Sequence, residues 1–313
     1  MANNVLSVVL FCRNCERTLG AALESVVSQS CDVELLVLDG GSTDRSVEII
    51  RKYERHIAFW RSLPDGSSTN AINEGVRRAT GQVIGLLAGD DWYEPESLGK
   101  VVRYFQNNPE LDVLSCGTRF AYFDEAGRFL FDKTFTDRNQ LSFDLLNLFR
   151  RPLTCGRFVR RRLYEGLGGF AAAYKSSDDL DFLIRLCLSG PKTEVNTNLT
   201  YTYRAHPGSR TLGGDRDILL MMARDNIDIA ETYLAKRSLS RQNRNALLAL
   251  HGQYAARGAW NCLRRGRLID ANSFVKRALE TSSIWPAMLF YWFVSGVGSK
   301  VHEKLKGFRA GST

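Results

Sequence analysis

The start of the chain has little of the pattern of an export leader. Its first ten residues, MANNVLSVVL, carry no basic n-region and run straight into a strand-like pattern, so a signal peptide is not expected. Seven cysteines form no regular framework. That odd count, with no export signal, favours a reducing, cytoplasmic setting. No apolar run reaches the roughly 20 residues that a spanning helix needs. The nearest, IWPAMLFYWFVSGV over 284–297, is short and broken by Pro286. The Gly40-Gly41 pair has neither the GxGxxG spacing nor a following GK[ST]. The dinucleotide fingerprint and the P-loop are thereby excluded. Cys12-Arg13-Asn14-Cys15 is a CxxC with no second copy, so a zinc site lacks ligands and the pair is read as incidental rather than redox.

What is present is enough apolar side chain, 44% of 313 residues, for a proper core in one large domain or one domain plus an appendage. The net charge of +8 is split unevenly. Residues 236–313 hold 14 of the 42 Lys+Arg and 3 of the 34 Asp+Glu, so they carry +11 and the rest carries −3. A basic back half suits an anionic partner, either a membrane surface or a nucleic acid, or else a solvated helical face.

The patterning alternates. Strand-like runs at 6–11, 33–38, 57–61 and 83–87 are separated by helical periods at 18–28, through about Tyr53, and at 70–79. Ser42 or Thr43 is the expected cap of the second helix. This β-α-β-α-β-α-β order predicts a parallel, right-handed doubly wound sheet. A helix to about Asn107, a strand over 112–123 and a hairpin-type turn at Glu125-Ala126-Gly127 follow. Ser177 is expected to cap a helix carrying Phe182 and Leu186, and 200–204 reads as the last strand. From about Asp215 the pattern is helical, with two antiparallel helices over 246–279 broken at Gly266. The aromatic segment 284–297 and the lysines after it suit either a helix in a membrane interface or one packed on the core.

The organising stretch is GQVIGLLAGDDWYEP, 81–95. A strand buried on both faces ends in Asp90 and Asp91, where open α/β sheets place their ligand crevice. Two adjacent carboxylates there suit a hard cation with a diphosphate, or a turn capping the next helix. Asp39 ends the second strand, facing the same crevice, and can accept hydrogen bonds from a base or ribose. Asp178 and Asp179 open a helix. They suit either proton transfer from a substrate hydroxyl or simple charge complementarity with the helix start. Asp181 and Arg185 read as a structural i,i+4 pair. His206, in a Gly/Pro loop, suits a metal or phosphate if a carboxylate-bound cation is near.

Taken together, SVVLFCRNCERTL, VLDGGSTDRS, PDGSSTNAINEGVRRATGQVIGLLAGDDW, SSDDLDFLIRL and YRAHPGS resemble, in order, the blocks of the inverting family 2 glycosyltransferases of bacterial surface-polysaccharide type. The resemblance covers about 5–211. It implies a Rossmann-like GT-A fold, α/β with a doubly wound mixed sheet, over 1–212. Residues 213–313, beyond the resemblance, are expected to form a helical appendage suited to a membrane interface or a homo-oligomer contact. The resemblance implies Asp39 and Asp65 at the nucleotide, with Arg13 and Asn73 beside them. Asp90, Asp91 and His206 would stand at Mn²⁺ or Mg²⁺, and Asp179 as catalytic base. Asn70, Asp178 and Trp92 would stand at the donor sugar or acceptor. Ala88 replaces the first acid of the family's DxD motif, which leaves the metal weakly held or dispensable. Phe11 and Arg13 replace the usual Pro and Tyr of the first loop. The implied reaction moves a hexose from a nucleotide-diphosphate sugar, UDP-linked, to a hydroxyl of a glycan or lipid-diphosphate-linked acceptor, in the cytoplasm or on the membrane's inner face. Three other readings remain: a degenerate binding or scaffold protein, suggested by Ala88; a sugar nucleotidyltransferase, which would carry a Gly-rich basic loop after the first strand; and a nucleic-acid binder using the basic end, which the motifs do not favour.

Overall fold

The structure is a computed structural model that describes residues 5–136, 141, 154–209, 216–236 and 238–281. They fall into two compact units, one up to residue 209 and one over 216–281. The aromatic segment 284–297 and the lysines beyond it lie outside the described residues. Among the described residues no helix is long and apolar enough to cross a membrane.

The first unit is a mixed sheet of nine strands. Its parallel half is β1 (Leu6–Cys12), β2 (Glu34–Asp39), β3 (Phe59–Ser62) and β4 (Val83–Ala88), in spatial order β3-β2-β1-β4. The apolar runs fill these strands because both faces are covered, and Val8, Leu10, Val37, Ile84 and Leu87 are fully buried. Each such side chain contributes about 1.5–3 kcal/mol. The connecting helices are α1 (Leu19–Val27), α2 (Ser46–Lys52) and α3 (Ser68–Arg78). Register fixes where the strands stop. Cys12 lies opposite Asp39, Phe11 opposite Ala88, and Asp39 opposite Ser62, so the carboxyl ends finish level.

The parallel order expected for the first four strands holds, and the sheet continues as the mixed one that the resemblance implies. After β5 (Trp92–Tyr93) and α4 (Ser97–Asn107), β6 (Val113–Phe123) turns at Gly127 into β7 (Phe129–Phe135). The basic run from Arg157 forms β8 (Arg157–Arg160) and α5 (Arg161–Leu167), and β8 sits between β4 and β6, antiparallel to both. The helix α6 (Asp178–Leu188) leads to β9 (Thr193–Ala205), which runs parallel to β6 and antiparallel to β5.

Two caps differ from the sequence expectation. α2 begins at Ser46, whose N–H donates to Asp44 Oδ1 at 2.9 Å. Ser42 and Thr43 instead latch the first loop. Ser42 Oγ accepts from Asn14 N at 2.8 Å, and Thr43 N donates to Asn14 Oδ1 at 2.9 Å. The Ser177 hydroxyl makes no capping bond to α6. The Asp181–Arg185 pair forms as expected, at 2.7 Å, and Arg185 also donates to Gly169 O at 2.7 Å.

The second unit contains α7 (Arg216–Leu234), α8 (Arg241–Leu263) and α9 (Leu268–Thr281). Contacts between Asp217 and Arg265 and between Glu231 and His251 show α7 and α8 antiparallel. Arg277 closes the set by pairing with Asp228 and Glu231 across α7 and α9.

Candidate functional site

The crevice is assembled at the level carboxyl ends of β1 to β4. Gly89 makes the first close approach. A Cβ there would stand 2.5 Å from Cys12 Cβ and 3.2 Å from Cys15 Sγ, so only glycine lets the end of β4 press against the first loop. The CxxC is consumed in that contact. Burial first, then Asp39, pushes the Cys12 thiol far up. Burial, with Asp90 and Asp39 among the further causes, pushes Cys15 up to about 11. Thiolates are disfavoured in both, which agrees with an incidental rather than redox pair.

Asp39 has no exposed surface. Its Oδ2 accepts from Ser42 N at 2.8 Å and Ser62 Oγ at 2.6 Å, and its Oδ1 from the Ser42 hydroxyl. It therefore shapes the turn at the crevice floor. Arg61, at the end of β3, was not singled out from the sequence. It donates to Asp39 O at 2.8 Å and Leu63 O at 3.0 Å, pairs with Glu74 at 2.8 Å and lies 3.6 Å from Asp65. Its only sequence signal was the i,i+4 spacing to Asp65. A Cβ on Gly40 would come 3.2 Å from Asp65 Oδ1 and 3.5 Å from the Cβ of the exposed Arg13. Asp65 and Arg13 thus stand at one lip of the crevice. Asn70 Nδ2 donates to Asp65 O at 2.7 Å. A cleft of about 290 Å³ lies here, lined by Arg61, Asp65, Asn70, Asn73 and Arg77 among others. Asn73 exchanges two 2.8 Å hydrogen bonds with the backbone of Phe170, so its amide clamps the 168–170 loop to α3.

Asp91 is 2% exposed. It accepts from Tyr201 OH at 2.6 Å and Arg204 N at 2.8 Å, and burial, with Asp90 beside it, holds its carboxyl well above the usual range. Asp91 is thus a strut between β4 and β9, with its oxygens engaged by protein. Asp90 is one-third exposed, as is His206, and His206 Nε2 lies 3.4 Å from Asp90 Oδ2. Trp92 lies partly exposed on β5, 5.6 Å from the Arg204 guanidinium.

Thr69 Oγ1 of α3 donates to Asp178 Oδ2 at 2.5 Å, tying the start of α6 to the helix that carries Asn70. Asp179 is half-buried, and its Oδ1 accepts from Leu180 N at 2.8 Å. Cys155 feels both Asp pairs: burial first, then Asp91 and, more weakly, Asp179, push its thiol up. Arg61 joins Asp39 and Asp65, Gly89 presses the turn before Asp90 against the first loop, and Thr69 ties the start of α6, with Asp178 and Asp179, to α3. No motif marks Thr69, Arg61 or Cys155.

Among the described residues no three His, Cys, Asp or Glu side chains form a metal cluster. The available donors are Asp90 and His206. That set fits a hard divalent cation that is held by one carboxylate and completed by waters and substrate phosphates.

A family model described as Glycosyl transferase family 2 matches residues 7–168, just over half of the chain. A Mycobacterium bovis protein named PGL/p-HBAD biosynthesis glycosyltransferase is 30% identical over 203 residues, covering 61% of this chain and 72% of that protein. Two solved structures share the fold. One is S. aureus TarS in complex with UDP-GlcNAc, with a TM-score of 0.55, 15% identity and coverage of 93% and 92% of the two chains. The other is the mannosyltransferase PcManGT from Pyrobaculum calidifontis in complex with GDP-Man and Mn²⁺, with a TM-score of 0.59, 14% identity and coverage of 98% and 84%. The level strand ends, the mixed sheet beyond β4 and the match over 7–168 agree, and the chain belongs to glycosyl transferase family 2.

Proposed function

We propose that the chain moves a hexose from a nucleotide-diphosphate sugar, UDP-linked, to a hydroxyl of a glycan or lipid-linked acceptor, with inversion at the anomeric carbon. The observation that supports this reading is the Thr69–Asp178 hydrogen bond, which ties the start of α6, and with it Asp179, to the helix that carries Asn70 beside Asp65. Complexes of fold relatives with UDP-GlcNAc and GDP-Man support a nucleotide-sugar donor.

In this reading Arg13 and Asp65 flank the nucleotide, and Asp39 holds the turn beneath it. Asp90 and His206 would hold the cation, whose Lewis acidity stabilises charge on the leaving diphosphate. Asn70 and Trp92 line the way to the sugar. Asp179 takes the proton of the acceptor hydroxyl as its oxygen bonds to the anomeric carbon. The bond from that carbon to the diphosphate oxygen breaks, the pair goes to the nucleoside diphosphate, and the proton stays on Asp179.

Incubation with a panel of nucleotide sugars, with and without Mn²⁺, tests it. The expected result is metal-stimulated release of nucleoside diphosphate, lost in Asp179→Asn, with product of opposite anomeric configuration by NMR. Donor binding without turnover would favour a scaffold protein, the reading that Ala88 suggests. We place the protein at the inner membrane face through its basic end. Deleting 284–313 should move it from membrane to soluble fractions, and an unchanged distribution removes that placement.

A further inference from the structure

Trp92, Arg119, Phe123 and Arg204 share one face of the mixed half of the sheet. The register sets this. Trp92 and Arg119 both lie opposite Thr202, and Ala121 lies opposite Arg204, so residues two apart on each strand line up. The two arginines on this face are held in different ways. Arg119 is neutralised by Glu94 at 2.5 Å and Asp132 at 3.8 Å, and its Nε donates to Thr202 Oγ1 at 3.1 Å. Elsewhere in the unit Arg61, Arg160 and Arg185 also direct their Nε to an oxygen, of Glu74, Leu111 and Asp181 in turn. Arg204 differs. Its guanidinium lies 4.0 Å from the Phe123 ring centroid and 5.6 Å from that of Trp92, and its Nε is buried with no hydrogen-bond partner. A buried donor left without an acceptor is costly, and in a native fold it points to an acceptor that the chain itself does not supply.

The surroundings of Arg204 indicate what that acceptor is. Its own N–H holds Asp91 Oδ1 at 2.8 Å, and His206, two residues on, has its Nε2 3.4 Å from Asp90 Oδ2. Burial pulls the guanidinium below its ordinary value, and Asp90 and then Asp91 act against that. A positive charge therefore stands beside the two donors available to a cation. Those donors are one acid short, because Ala88 replaces the first. Ring faces fix a guanidinium without neutralising it, and its planar fork matches phosphate oxygens. In the reading above Trp92 lines the way to the sugar, so the phosphate nearest the Trp92–Arg204 pair is the one bonded to that sugar. We propose that Arg204 is a further catalytic residue: it binds the β-phosphate of the donor and offsets the negative charge that grows there as the bond to the anomeric carbon breaks, a fixed cation that supplements the metal where Ala88 stands. The bond pair goes to the β-phosphate oxygen, and Arg204 keeps its proton. This rests on the transferase reading above and adds a residue to its mechanism.

The test compares UDP with UMP, which lacks the β-phosphate, by calorimetry on the full chain in EDTA and again with saturating Mn²⁺. Arg204→Gln should weaken UDP by about tenfold or more in EDTA, and by less with Mn²⁺, where a second cation shares the diphosphate. UMP affinity should stay within about twofold of wild type. Arg204→Lys should restore part of the preference for UDP, because the charge returns without the fork. In transfer assays kcat should fall more than KM rises, since the charge on the β-phosphate is largest in the transition state. Equal losses for UDP and UMP would make Arg204 a support of the fold and overturn the proposal. So would a wild-type preference for UDP in Arg204→Gln under both conditions. Far-UV circular dichroism checks folding. Should Arg204→Gln not fold, Phe123→Leu takes its place: losing the ring beneath the guanidinium should cut the preference for UDP by about threefold, and no change overturns the proposal. Failure of the transferase reading looks different. In that case wild type turns over no nucleotide sugar, while any preference for UDP still follows Arg204. A wild type that binds neither UDP nor UMP removes both readings.

Discussion

The chain carries the dipeptide Asp-Asp at two edges of one crevice, and the fold treats the two copies in opposite ways. At the end of β4 the second acid is the strut: Asp91 is buried and engaged by Tyr201 and Arg204, while Asp90 stays one-third exposed beside His206. At the start of α6 the first acid is the strut: Asp178 takes the Thr69 hydroxyl, and Asp179 is half-buried in the crevice wall. The cause is the neighbour each acid meets: after the turn that ends β4 the second acid reaches Tyr201 and Arg204 of β9, and at the start of α6 the first acid reaches Thr69 of α3. Each pair thus has one acid held by a side chain distant in the chain.

Amide substitution breaks this comparison most strongly at Asp179. Asp179→Asn should lower kcat/KM for transfer by about 10²- to 10⁴-fold, the usual worth of a positioned base, with UDP affinity unchanged. Asp178→Asn keeps an acceptor for Thr69 and should cost far less. Equal losses in steady-state assays at the two positions would erase the division of labour. Next comes Asp90→Asn, which should reduce stimulation by Mn²⁺ by about tenfold or more, because a Lewis acid at the diphosphate contributes several kcal/mol. A metal titration showing the wild-type response in the variant would remove Asp90 from the cation.

Asp91 should respond in stability rather than rate. Asp91→Ala leaves the Tyr201 hydroxyl and the Arg204 N–H without their acceptor in a buried place, at a cost on the order of 3 kcal/mol by urea denaturation. Asp91→Asn keeps an acceptor for Arg204 and can donate to Tyr201, so it should stay near wild type at neutral pH. The pH dependence has a definite sign. A carboxyl held above its ordinary 3.8 in the folded state keeps its proton when the unfolded chain has lost it. Its contribution is complete below 3.8 and is lost as pH rises toward the folded value. Asp91→Asn should therefore lose this acid-side gain and fall in stability more steeply than wild type as pH is lowered toward 3.8; an unchanged slope would show Asp91 ionised in the fold.

Much of this was legible in the sequence. Short apolar runs bounded by turn residues suit strands covered on both faces, so β1, β2 and β4 were readable from composition and spacing. The acids were visible because charge directly after such a run is costly unless it serves something. The mixed half was not legible. The basic run at Arg157 reads as surface, yet Arg157 and Arg160 are buried in β8, Arg160 with its guanidinium on the carbonyls of Leu111 and Pro109 at 3.0 Å. Thr69, Arg61 and Cys155 escaped for a related reason: each acts through a contact across many residues, and a contact of that kind leaves no local pattern. Ser42 and Thr43 were misassigned because a hydroxyl that can cap a helix can equally latch a loop.

The smallest expected effect is the most informative about α6. Ser177 is its N-cap residue and fully buried, and its Oγ has no hydrogen-bond partner. Of the N–H groups an N-cap side chain serves, that of Leu180 is taken, donating to Asp179 Oδ1 at 2.8 Å. Replacing a working N-cap serine by alanine costs about 1 kcal/mol. An orphaned buried hydroxyl is instead a burden of about 1–3 kcal/mol, so Ser177→Ala should leave stability unchanged or raise it by up to about 1 kcal/mol. The change in urea midpoint reads the sign directly. A loss near 1 kcal/mol would mean that Ser177 caps α6 in solution. The Leu180 N–H would then not be Asp179's, and the carboxylate assigned to the acceptor would be held by Thr69, Asp178 and the crevice wall rather than by its own helix.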